Sequence, residues 1–216
     1  QAQINPHFLA NSFELIRGLA IREHNGDIES IAEALGMMYR YILSDGKEKV
    51  TLEEELTYVK NYIRIQEYRF QRSIQVLYNI DPRSRECRMA RLLIQPLVEN
   101  AFIHGLELKN GLKWIMITCS VNGETLYVEV KDNGLGIEAE RLKELSGDIM
   151  DFATKEIGTE KSGMGSGKSI GLKNVNKRLF LSYGASGYLQ IISEPGKGTS
   201  VSFRIEIEKE EGDGGF

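Results

Sequence analysis

The sequence predicts an α+β protein, with helices to about residue 72 followed by a two-layer α/β sandwich. Residues 4–72 repeat apolar positions at helical spacing. From Ser73 onward, period-two alternation takes over. Asn122-Gly123 and "EPGKGT" (194–199) then stand between strand-like runs, as hairpin turns do.

In the helical part, Phe8, Leu9, Phe13, Leu15, Ile16 and Leu19 form a broad stripe. "EHNGD" (23–27) interrupts it, and Asp27 is the expected N-cap of a second helix carrying Ile28, Ile31, Leu35, Met38 and Ile42, closed by Gly46. "TLEE" (51–54) spells a capping box, Thr51 with Glu54, opening a third helix with Leu52, Leu56, Val59 and Ile63 inward. Stripes this wide need a partner: a second copy of the chain, or the domain that follows.

In the sandwich, "SIQVLYNI" (73–80) reads as a strand and "LLIQPLVENAFIHG" (92–105) as a helix. "KWIMITCSV" (113–121) and "ETLYVEVKD" (124–132) form a hairpin, and a short helix is expected around 138–145. Five glycines between Gly147 and Gly167 mark a long loop with the character of a lid. A helix at 170–184 and strands at 188–193 and 200–208 complete the domain. The expected division is therefore 1–72 helical, 73–208 sandwich, and 209–216 a disordered acidic, Gly-rich tail.

Composition excludes several functions. With 41% hydrophobic and 27% charged residues, this is an ordinary soluble domain. A net charge of −4 without a basic cluster leaves nothing to track a phosphate backbone, so no nucleic-acid partner is expected. The longest apolar runs resemble "WIMI" (114–117), too short to span a bilayer. Cys87 and Cys119 have neither metal nor redox spacing and read as reduced thiols. "QAQINPHFL" has no basic or apolar leader and reads as a cut inside a longer protein.

Three stretches carry chemistry. In "KDNGLGI" (131–137), an acid ends a strand beside two glycines. Such an acid accepts a hydrogen bond from an exocyclic amino group, as on adenine, although an ordinary Asx-turn explains the stretch equally well in isolation. In "GKSIGLKNV" (167–175), glycines run into a helix start, where unpaired N–H groups favour an anion and Lys168 adds a cation; alone it also reads as a flexible linker. In the third, Asn100 and His104 lie four apart on one helix face. The Asn100 oxygen is a fair Mg²⁺ ligand, whereas His104 alone reads as a helix-end histidine satisfying a carbonyl.

In this order, followed by "GKGT", the stretches resemble the Bergerat-type ATP-binding domain of histidine kinases, gyrase-type topoisomerases, Hsp90 and MutL, a two-layer fold on a mixed sheet. The resemblance covers about residues 73–208. It implies ATP with Mg²⁺ held by Asn100, with His104 in the nucleotide site. It places Asp132 at the adenine amino group with Gly134 and Gly136 beside it, and Thr199 on the adenine side. The lid would close through Gly167 and Gly171, with Lys168 toward the phosphates. Hydrolytic members carry a glutamate four residues before the asparagine; here that position is Pro96, which cannot act as a base. Glu99 is turned about 100° away around the helix. The chain is thus not built as an ATPase.

"QINPHFLANSF" (3–13), "VTLEEELTYVKNYIRIQEYRF" (50–70) and "QPLVENAFIHG" (95–105) together resemble the LytS/YesM branch of sensor histidine kinases over nearly the whole chain. That resemblance implies a homodimer through the helical region, His7 as phosphoacceptor, a response-regulator receiver domain as partner, and a parent protein anchored in the membrane upstream with this part on the cytoplasmic side. Asn11, one turn on, could orient the imidazole, while Glu14 lies about 10.5 Å up the axis, too far to be a base directly. The sequence departs from the wider pattern in three places. Ile103 replaces a phosphate-contacting lysine, Ser169 replaces the usual second lid glycine, and Phe8 stands where commoner kinases have an acid. A non-catalytic ATP-sensing dimeric scaffold and an ATPase of the gyrase/Hsp90 type are the alternative readings.

Overall fold

The computed structural model describes residues 6–43, 48–71, 73–154 and 170–207. Helices α1 (Pro6–Arg22) and α2 (Gly26–Leu43) pair as a hairpin, with Phe13 edge-on to Tyr39 at 6.1 Å between ring centroids. The cap of α2 is Asn25 rather than Asp27: the Ile28 N–H donates to Asn25 Oδ1 at 3.1 Å. Asp27 instead lies in the first turn and accepts from the Tyr68 hydroxyl. Sequence alone separates the two poorly, because both are good caps and only the chain path selects one. Gly46, the expected end of α2, lies outside the described residues.

The stripe on this hairpin is only half covered. Phe8, Leu15, Ile28 and Ile42 remain exposed, and Phe13, Ile16, Ile31 and Leu35 line an apolar groove.

Strand β1 (Lys49–Thr51) leads into α3 (Leu52–Arg69) through the capping box, with both reciprocal bonds present. The four inward positions of α3 are buried as expected, but in the core of the sandwich. α3 is thus the helix for which packing on the following domain holds. β1 also pairs antiparallel with β3 (Arg88–Ala90), tying the start of α3 to the segment before the next helix. Both strands have three residues, too few for a legible alternation.

The main sheet has the order β2-β4-β5-β7-β6, comprising Ile74–Ile80, Lys113–Asn122, Thr125–Asp132, Gly198–Glu206 and Leu189–Glu194 respectively. β2 and β4 are parallel and the other neighbours antiparallel, so the sheet is mixed. Asn122 pairs with Thr125, so the hairpin loop is Gly123-Glu124, one residue later than the Asn-Gly pair suggests; Gly123 takes a φ of 59°. Ile115, Val128, Val130 and Phe203 point from the inner face into one core with Leu97, Phe102 and Leu179.

The expected helix over 92–105 has three parts. Residues 91–94 form a turn with Leu92 at a φ of 56°, α4 covers Gln95–Asn100, and a π-helical segment covers Ala101–Leu106. Pro96 therefore sits in the first turn, where its missing N–H is no loss. The helix expected at 138–145 runs further, as α5 (Ala139–Thr154). Gly147, the first glycine of the expected loop, instead lies within this helix on its exposed face, while Leu145 and Ile149 keep helical spacing inward. The proposed lid thus has its first part in a helix, and 155–169 lie outside the described residues, as does the tail from 208. α6 (Ile170–Tyr183) is tied down by buried Asn176, which donates to the Ile149 carbonyl and accepts from the Leu189 N–H.

Phe102 is fully buried, with Tyr62 and Phe70 rings at 6.0 and 5.6 Å, and so joins α3 to the helical layer. Phe102→Ala is expected to destabilise the fold by about 3–5 kcal/mol, read from urea unfolding.

Candidate nucleotide site

Asn100, His104, Gly136 and Thr199 line one cleft of about 150 Å³, together with Gly105, Ile137, Arg141, Leu145 and Leu172. Four of the residues named from sequence therefore meet, from three separate stretches of chain. Asn100 is half-buried at the end of α4, and His104 is exposed in the π-helical segment. A widened turn of this kind commonly sits at functional sites, and here both side chains face one space.

Asp132 does not line the cleft itself but is buried behind its wall, 3% exposed, with its carboxylate against cleft-lining Gly105. Its Oδ1 accepts from the Gly134 N–H at 2.7 Å. Burial pushes its carboxyl up to about 6, against the pull of the Gly134 and Thr199 backbone N–H groups and the charge of Lys109. A buried carboxylate of this kind is an acceptor held ready for a donor.

The loop after Asp132 lies directly on the π-helical segment. The Leu135 N–H donates to the Gly105 carbonyl at 3.0 Å, and a Cβ on Gly134 would stand 2.3 Å from that same oxygen. Gly136 has a φ of 70°, and a Cβ there would meet the Glu194 carbonyl oxygen at 2.1 Å. These glycines allow contact between backbones, which fixes the cleft wall before any ligand arrives.

Sequence reasoning missed four contributors. Gly105 abuts Asp132, and a Cβ there would lie 2.7 Å from Oδ1; the close approach is invisible without the fold. Asn133 accepts from the Trp114 N–H and donates to the Leu112 carbonyl, pinning the loop to β4. Ser193 Oγ lies 2.9 Å from Thr199 Oγ1 and accepts from the Ile137 N–H, orienting the Thr199 side. Arg141 brings a cation into the cleft, and nothing in "EAERLKE" (138–144) sets it apart from its charged neighbours.

The remaining expected residues lie elsewhere. His7 and Asn11 are exposed on α1, and neither lines the cleft. Glu14 bonds to Arg17 and Arg40, whose guanidiniums hold its carboxyl below the usual range. Gly171 is in the first turn of α6, next to cleft-lining Leu172. Gly167 and Lys168 are outside the described residues.

Comparison with known proteins places these features. Residues 88–209 match the family described as histidine kinase-, DNA gyrase B-, and HSP90-like ATPase, more than half of the chain. The chain belongs to this family. Residues 1–74 match the histidine kinase family, so the two regions follow one another in the order found in sensor kinases. The chain is 33% identical over 210 residues to the sensor histidine kinase YesM of Bacillus subtilis, covering 97% of this chain and 33% of that protein. It is 28% identical over 213 residues to the sensor protein kinase HptS of Staphylococcus aureus, covering 97% and 38%. The chain thus spans about a third of the length of the curated relatives it matches. The histidine kinase domain of the Erythrobacter litoralis EL346 blue-light activated histidine kinase shares the fold, with a TM-score of 0.51 over 93% of this chain and 96% of that one, at 17% identity. Membership in this family implies that the domain binds ATP. No helix among the described residues is long and apolar enough to cross a membrane.

Two expectations follow. The folded protein holds the Asp132 proton up to about pH 6, and an ordinary aspartate releases it near 3.8. Acid therefore stabilises the fold through this group, and that stability is lost as pH rises through 6. Relative to Asp132→Asn, the nucleotide-free parent is expected to lose on the order of 2–3 kcal/mol between pH 4 and 7, read from paired melts. Arg141→Ala is expected to weaken ATP affinity about fivefold, the weight of roughly 1 kcal/mol, read by titration with a fluorescent analogue.

Proposed function

We propose that this chain is the catalytic part of a sensor histidine kinase, transferring the γ-phosphoryl group of ATP to a ring nitrogen of His7 and onward to an aspartate of a response-regulator receiver domain. The observation that carries this reading is the meeting of Asn100, His104, Gly136 and Thr199 around one cleft, with buried Asp132 directly behind its Gly105 wall, in a chain whose first helix presents His7 at its exposed start.

Asp132 accepts from the adenine amino group, with Gly134 and Gly136 holding the wall beside it and Thr199, fixed by Ser193, on the same side. The donor set fits Mg²⁺. Asn100 contributes one hard oxygen, and among the described residues no group of three His, Cys, Asp or Glu side chains could cage a metal. Mg²⁺ accepts few protein oxygens and takes the rest from phosphates and water, where it neutralises charge on the transferred group. Arg141 adds a cation where Ile103 supplies none. The phosphates are assigned to the glycine-rich segment that ends at Gly171, beside cleft-lining Leu172.

In the transfer, a bond forms between an unprotonated His7 nitrogen and the γ-phosphorus as the bond to the β–γ bridging oxygen breaks and ADP leaves. The protein groups position and neutralise. Because His7 is not in the cleft, the α1–α2 hairpin must approach it. The hairpin's exposed apolar face and groove supply the surface for a homodimer. The parent protein is anchored in a membrane, with this part on the cytoplasmic side. Pro96, where hydrolytic members carry a glutamate, offers no base to activate water against the phosphoryl group.

Incubation with γ-labelled ATP tests this. The label is expected to be acid-labile and alkali-stable, to vanish in His7→Gln with ATP affinity kept within a few-fold, and to vanish in Asn100→Ala together with Mg²⁺-dependent binding. Full label on another residue of His7→Gln overturns the acceptor. Phosphate release outpacing labelling makes the chain an ATPase.

A further inference from the structure

We infer that Glu55 is a positioning residue for phosphoryl transfer, joining the hairpin that carries His7 to the helix that carries Asn100. The inference rests on the roles proposed above for those two residues.

Glu55 lies on α3 and is fully buried. Its charge is compensated by three donors from two other segments. Oε2 accepts from the Tyr41 hydroxyl at 2.6 Å and from the Leu92 N–H at 2.9 Å, and Oε1 accepts from the Ile94 N–H at 3.0 Å. Ile94 is the N-cap position of α4 and has no side-chain cap of its own. A carboxylate from another helix thus takes the N–H of the N-cap residue, the bond that the glutamate of a capping box would otherwise supply.

The turn it holds is strained. Leu92 has a φ of 56°, a left-handed conformation that a leucine keeps only where its surroundings compel it. The Leu92 N–H points into the Glu55 carboxylate. From the other side, Arg178 of α6 donates to the Arg91 and Leu92 carbonyls at 2.7 and 3.3 Å. The Arg91 guanidinium lies over the Tyr41 ring, 4.7 Å from its centroid, and donates to the Tyr41 carbonyl. Helices α2, α3 and α6 therefore all grip the four residues that aim α4, and Asn100 is the last residue of α4.

Tyr41 is the hairpin's share of this grip. Burial, and then the Glu55 charge, push its hydroxyl well above the usual range, so it remains a donor throughout the physiological range. A shift of α2 moves that donor. The carboxylate, left short of one partner, then reorients against the two N–H groups that fix α4. In this way the hairpin's position sets the aim of Asn100.

Both Glu55 oxygens serve donors, so Glu55→Gln places an NH₂ against one of them. Tyr41→Phe removes a single hydroxyl and leaves the ring under Arg91. Three readouts are taken in the full chain: hydrogen exchange across residues 91–105, which does not depend on catalysis, the labelling rate of His7 at saturating Mg·ATP, and the ATP dissociation constant. Tyr41→Phe is expected to raise exchange at least threefold and to slow labelling at least fivefold, while the ATP dissociation constant stays within twofold. Glu55→Gln is expected to worsen all three, and the double variant to label no more slowly than Glu55→Gln alone. If Glu55→Gln does not fold, Tyr41→Phe decides. Parental exchange in Tyr41→Phe overturns the inference, and so does raised exchange with a parental labelling rate. A parent that binds ATP yet never labels His7 overturns the function proposed above and the inference with it, while raised exchange in Tyr41→Phe would then still report the physical link.

Discussion

The structure depends on one close approach of two backbones. The loop after Asp132 lies against the Gly105 turn so tightly that neither Gly105 nor Gly134 has room for a Cβ. Because Asp132 is beneath both, this contact also buries the carboxylate and lifts its proton affinity. On the far side, Gly198 has a φ of 109°, and a Cβ there would stand 2.1 Å from the Asp132 carbonyl oxygen, so the β6–β7 turn is packed into the same knot. Three segments distant in sequence thus fix one another chiefly through backbone contacts. Such a wall cannot drift with rotamers, and recognition of a flat, rigid ligand gains from that.

A second consequence of the packing concerns α3. Its inward stripe belongs to the core of the sandwich, while α1 and α2 share little of that core. A rigid unit therefore begins before the sheet does, at the capping box of Thr51, with the hairpin appended through α2. Ion pairs between α2 and α3, such as Arg64 with Glu33 at 2.9 Å, are more than a third exposed and contribute little to stability, so they steer the hairpin more than they clamp it.

Much of this was legible from residue order. The capping box at Thr51, the alternation of β4 and β5, and the α+β class followed from periodicity and turn chemistry alone. The meeting of Asn100, Asp132 and Thr199 did not, since no spacing rule joins residues 67 apart, and it entered through resemblance. Other features were hidden for physical reasons. Asn25 and Asp27 are equivalent as caps until the chain path chooses between them. Gly147 looks like a breaker unless one knows its face is open to solvent. Arg141 resembles its charged neighbours until α5 turns it into the cleft, and Glu55 is indistinguishable from the two glutamates before it until the fold buries it.

The π-helical turn at Ala101–Leu106 has a further meaning. A turn of this kind holds one residue more than an α-helix would place there. The facing of each side chain between Asn100 and Leu106 is therefore stored as a count of residues. Removing one of the six restores ordinary winding with the flanking chain kept on course, while the side chains between are turned by up to about 100° from their present facing. Gly105 would then leave the Asp132 carboxylate, and the loop seated on it would lose its footing. For this segment, chain length carries as much information as side-chain identity, and an insertion or deletion there is a more drastic change than most substitutions.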